Sequence, residues 1–171
     1  MKAFVKKHRR SLLLFLLVLC VQMIIFSFSM RDGETSSAQS GAVVDIVGPA
    51  VEKVLPIFGV EPTRDNVVIF VRKCGHFLEF ALLGMVFFFA VASLCKKKTT
   101  AMIWAMGLAF LTACGDEYIQ SFSPGRASQF TDVLIDSAGA LTGILFAFLC
   151  TLFFCKKSRK RRKRKATEGR S

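Results

Sequence analysis

Acid–base side chains occur at helical spacings in three places. His76 and Glu79 are three residues apart, Asp116 and Gln120 four apart with Glu117 adjacent, and Asp132 and Asp136 four apart. Each spacing puts a pair on one face of a helix. Carboxylates beside an imidazole move protons or hold a cation. Arg72 and Lys73 precede His76, Arg126 lies between Gln120 and Asp132, and all three suit an anion such as phosphate, which arginine grips through two nitrogens. The candidate catalytic set is therefore His76, Glu79, Asp116, Glu117 and Asp136. The candidate substrate-binding set is Arg72, Lys73, Gln120, Arg126 and Asp132. A metal signature is weak: His76-x-x-Glu79 is not HExxH, and no metal ligands are assigned, with calcium or magnesium on the carboxylates as the alternative. The glycines are scattered and form no GxxxxGK phosphate loop, so the cofactor is left open.

The elements that must position these residues are apolar. Of 171 residues 53% are hydrophobic, with 18 Phe against one Trp and one Tyr. The apolar residues lie in long blocks, whereas a soluble domain spreads them along amphipathic elements. The formal net charge of +12 comes largely from Lys6 to Arg10, Lys96 to Lys98 and a run from Lys156 to Lys165. Each run abuts an apolar block, where cytoplasmic anchoring charges belong, which argues against nucleic acid as the partner. Six cysteines without CxxC spacing provide neither a disulfide framework nor a zinc site.

The expected class is all-α: a polytopic membrane protein with a bundle of about four transmembrane helices and both termini cytoplasmic. A basic N-terminus (1–10) precedes the first span (11–30). At roughly 19 residues that block exceeds a signal-peptide core, so a retained helix is favoured over cleavage near Ala38 and Ser40. An extracytoplasmic loop (31–71) holds six acids and an apolar stripe of Val43, Val44, Val47, Val51, Val54 and Leu55. That stripe predicts a short amphipathic helix on the membrane surface or the bundle, broken by Pro49 and ended near Pro56. The core (72–155) holds the remaining spans: one entering near Cys74 to His76 and ending at Lys96, one over about 101–120, and one over about 132–155. A polybasic tail (156–171) serves as an electrostatic anchor to anionic lipids.

Counting back from the cytoplasmic bases at 1.5 Å per residue gives depths. Glu79 lies about 25 Å from Lys96, Asp116 about 27 Å from Lys98, and Asp136 about 30 Å from Lys156, with His76 and Gln120 near 30 and 33 Å. Three helices thus place ionisable groups in one layer at the outer edge of the hydrocarbon core. Gly139 and Gly143 continue the face of Asp132 and Asp136 and predict close helix approach there. Ionisable groups at this depth point to a functional site, with structural ion pairing as the alternative. The first span contributes no ionisable group to the layer and is expected to act mainly as an anchor.

Two segments resemble those of the VanZ-like membrane proteins. Arg72-Lys73-x-x-His76-Phe77-x-Glu79-Phe80-x-x-Leu83-Gly84 is similar to the family's RKxxHFxEYxxLG, with Phe80 in place of Tyr. Asp116-Glu117-x-x-Gln120, then Pro124-Gly125-Arg126, then Asp132-Val133-x-x-Asp136-x-x-Gly139 is similar to its DExxQ, PGR and DVxxNxxG or DVxxDxxG pattern. The resemblance implies a bacterial plasma-membrane location in the cell envelope and, as for the namesake, an effect on sensitivity to teicoplanin-type glycopeptides. It supplies no reaction. The residues favour a site that binds, and acts on, an anionic lipid or cell-wall lipid intermediate. A non-catalytic accessory protein that binds envelope lipids or a partner membrane enzyme is the alternative.

Overall fold

The structure is a computed structural model that describes the backbone of residues 2–31, 33–124 and 129–168, with side chains at 9–31, 41, 43–124 and 129–154. Among these residues all regular structure is helical: α1 (Lys2–Ser29), α2 (Gly33–Val54), a 3-10 turn (Leu55–Phe58), α3 (Arg64–Ala92), α4 (Lys98–Gln120) and α5 (Phe130–Glu168). The chain is an all-α membrane protein. By length and composition three segments can cross a bilayer: Arg9–Ser29, Arg64–Ala92 and Phe130–Phe154. The expected third span, α4, is not one of them, because Asp116 and Glu117 lower its apolar character. It nevertheless has 23 residues, about 34 Å of helix, and packs along both α3 and α5.

Helix directions follow from paired contacts. Gln22 of α1 donates to Thr112 (3.0 Å) and Ser29 to Asp116 (2.5 Å), so α1 and α4 run the same way. Ser93, just past the end of α3, donates to Ser11 near the start of α1 (2.9 Å), so α3 runs opposite to α1. Lys73 meets Asp132 and His76 approaches Asp136, so α3 and α5 are parallel. One end of the bundle therefore gathers the N-terminal part of α1 and the Lys96–Lys98 connection. The other gathers Ser29, His76, Asp116 and Asp136.

Glycine sets the closest packing. A Cβ on Gly139 would collide with the backbone of Phe77, one on Gly143 with that of Ala81, and one on Gly84 with that of Ala140. The expected approach at Gly139 and Gly143 is thus made against α3, with Gly84 reciprocating. It fixes the register that brings His76, the neighbour of Phe77, beside Asp136. On α4 the buried stripe begins with Ala101, Ala105, Ala109 and Ala113, all 0% exposed, and continues as Asp116, Glu117 and Gln120. Small residues hold this helix against its neighbours until the stripe turns polar.

One expectation needs correction. Pro49 does not break α2, which runs through it. A helix-interior proline removes one hydrogen bond and costs about 3 kcal/mol, but Val44, Leu55 and Val67 form a small buried cluster around which Val51 packs, binding both sides of the proline to α3. The chain turns only at Pro56, and Gly59 ends the 3-10 turn at φ +70°. The helix that carries the last candidate span, Phe130–Phe154, continues beyond it to Glu168. The helix that carries the second span begins at Arg64 and is capped by Thr63, whose hydroxyl accepts the Asn66 N–H (3.3 Å).

Candidate functional site

The polar layer converges at one end of the bundle. His76 Nδ1 stands 3.9 Å from Asp116 Oδ2 and 3.9 Å from Asp136 Oδ1, so one imidazole from α3 lies between carboxylates from α4 and α5. Both separations exceed hydrogen-bond length. Asp116 and Asp136 are buried, at 0% and 1% exposed, while the His76 side chain keeps 19% of its surface. The acids lie behind and the imidazole faces the way in.

Each carboxylate has a different environment. Asp116 Oδ1 accepts from Ser29 Oγ (2.5 Å) and Oδ2 from Gln120 Nε2 (2.8 Å). Its orientation is therefore fixed from two helices. Both oxygens of Asp136 are buried without a hydrogen-bond partner. The negative charges of Asp116, Glu117, Asp132 and Glu79 all act on it. Glu117, next to Asp116, does something else. Its Oε2 accepts the Gln129 N–H (2.9 Å), tying α4 to the start of α5, while its Oε1 is buried without a hydrogen-bond partner.

The predicted residues otherwise distribute as follows. Lys73 and Asp132, both expected to bind substrate, form an ion pair with each other, their side chains 29% and 22% exposed. Glu79 and Arg72 are half-buried on α3, and Glu79 sits one turn beyond His76. Gln120 is buried on Asp116. Arg126 lies outside the described residues.

Sequence reasoning missed Ser29. The first helix does more than anchor: Ser29 is 0% exposed, donates to Asp116, and its carbonyl accepts Ser123 Oγ (3.0 Å). Gln22 and Ser29 are seven residues apart, on the same face as the buried Val18 and Ile25. Polar residues repeating on the buried stripe of an otherwise apolar helix are the signal that would have found it.

Exposed aromatic rings surround this end: Tyr118, Phe122 and Phe130 are 68%, 71% and 71% exposed, and the first two stack edge-to-face at 5.0 Å. Tyrosine is among the residues that favour the membrane–water boundary.

An all-helical bundle of long apolar helices, with ionisable residues of α3–α5 gathered at one end and aligned by glycine contacts, defines a membrane protein. A model of the VanZ/LLP1 family matches residues 13–153, and the chain belongs to that family. The match spans α1 as well as the two motif segments. No curated protein and no solved structure matches the chain.

Proposed function

We propose that this VanZ-like protein crosses the bacterial plasma membrane four times, with both termini cytoplasmic, and acts at the outer leaflet on an anionic lipid or cell-envelope intermediate. The basic runs flanking α1, α3 and α4 support this orientation, as does the alternating direction of the four long helices. The fourth crossing is α4, whose polar turn is covered by its neighbours rather than by lipid.

The observation that carries the reading is the placement of His76 between the buried Asp116 and Asp136. An imidazole set between two carboxylates is an arrangement suited to passing a proton to and from a headgroup oxygen. Lys73 at the rim, and Arg72 beside it, supply positive charge for a phosphate. Because Lys73 is held by Asp132, an arriving anion competes with that carboxylate, and Asp132 acts as a placeholder. Altered teicoplanin sensitivity follows if the intermediate is one that the drug recognises.

Glycopeptide sensitivity and envelope-lipid composition, measured with wild type and with Glu79→Gln and Asp116→Asn at matched expression, test this. Loss of both effects in the variants is expected. Unchanged effects in both variants, with loss only in Lys73→Ala, would instead favour a non-catalytic binding protein.

A further inference from the structure

The same end of the bundle carries a second kind of chemistry. His76 Nδ1 and one carboxylate oxygen each of Asp116 and Asp136 lie within 4.8 Å of one another. We propose that these three side chains bind a first-row divalent cation of the manganese or zinc type.

The argument starts from Asp136. It is 1% exposed, both its oxygens lack a hydrogen-bond partner, and one lies 3.9 Å from His76. A buried carboxylate without partners costs several kcal/mol if ionised, and other carboxylates, including Asp116, act on it. Lys73, on the neighbouring turn of α3, is committed to Asp132. A divalent ion held by Asp116 and Asp136 supplies positive charge to both carboxylates within a single site.

The supporting shell is already present. Metal-bound carboxylates are themselves held by hydrogen bonds, and Asp116 is so held by Ser29 and Gln120. The donor set decides the ion. Calcium and magnesium take oxygen ligands, whereas an imidazole nitrogen with two carboxylates suits manganese or zinc. Metal–ligand distances of about 2.0–2.2 Å require the three side chains to draw together on loading. Three protein ligands leave open positions on the side where His76 is exposed, available to a water or a phosphate oxygen. The proposal does not depend on the lipid reading; it concerns only what these side chains hold.

The test uses the full chain in phosphatidylcholine nanodiscs, stripped with chelator and titrated with Mn²⁺, with free ion read by electron paramagnetic resonance. Manganese avoids the exposed cysteines, which would confuse a zinc titration. One equivalent should bind per chain. Asp136→Asn and His76→Gln should each weaken binding at least tenfold, and Ser29→Ala by about tenfold through loss of its hydrogen bond to Asp116. Binding no greater than that of nanodiscs lacking the protein would overturn the proposal. So would an Asp136→Asn chain, folded by circular dichroism, that binds as wild type does; that result would mean Asp136 is simply protonated. Neutral nanodiscs contain no envelope intermediate, so this outcome is separate from success or failure of the lipid-profile experiment.

Discussion

Ser29, the last residue of the first helix, donates a 2.5 Å hydrogen bond to Asp116, 87 positions further along the chain. This makes α1 part of the site. Ser29→Ala removes a hydrogen-bond donor to a fully buried carboxylate and should cost about 1–3 kcal/mol, read as a lower midpoint of thermal unfolding in detergent. A midpoint equal to that of wild type would show that Asp116 does not depend on α1.

The α3–α5 contact should tolerate no side chain at Gly143. Gly143→Leu drives carbon into the backbone of Ala81 and should destabilise the protein by at least about 1–3 kcal/mol, with loss of the site's geometry. Gly75→Ala is the control. Nothing lies within 4 Å of a Cβ there, and alanine in a helix interior gains about 0.5–1 kcal/mol. The two unfolding midpoints should move in opposite directions.

Lys73 and Asp132 are predicted to be energetically coupled. Each single change, Lys73→Gln or Asp132→Asn, leaves a half-buried partner charge, and the double variant should recover part of the loss. A double-mutant cycle in chemical unfolding should give a coupling of about 0.5–3 kcal/mol. Strict additivity would mean that the ion pair contributes nothing.

Topology can be read by single-cysteine labelling in a chain without its six native cysteines. Ser121 and Lys97 are both exposed, at opposite ends of α4. From outside the cell an impermeant maleimide should label Ser121→Cys and not Lys97→Cys. Ser123 serves less well, being buried against the Ser29 carbonyl.

Much of this arrangement was legible in the sequence. Helical spacing and a count back from the basic runs placed His76, Asp116 and Asp136 in one layer, because a bilayer-long helix converts sequence distance into depth. The packing at Gly139 and Gly143 was legible for the same reason. What spacing does not convey is the azimuth of one helix against another. Asp116 and Glu117 are adjacent and looked equivalent, yet one turns to His76 and the other to the Gln129 backbone. Lys73 and Asp132 both looked free to bind substrate, and their pairing depends on two helices 59 residues apart. Ser29 was hidden because a serine at the end of an apolar helix also reads as the helix's exit into water. Pro49 was misread because its local cost was weighed without the Val44–Leu55–Val67 cluster.

The central claim is that His76, Asp116 and Asp136 form one site that acts on an anionic lipid or cell-envelope intermediate. Its most direct test is quantitative profiling of envelope lipids and cell-wall lipid intermediates in cells without the protein, with wild type, and with Asp136→Asn at equal membrane abundance. The account predicts that wild type changes the level of at least one anionic species and that Asp136→Asn restores the profile of cells without the protein. An Asp136→Asn profile identical to that of wild type would contradict it.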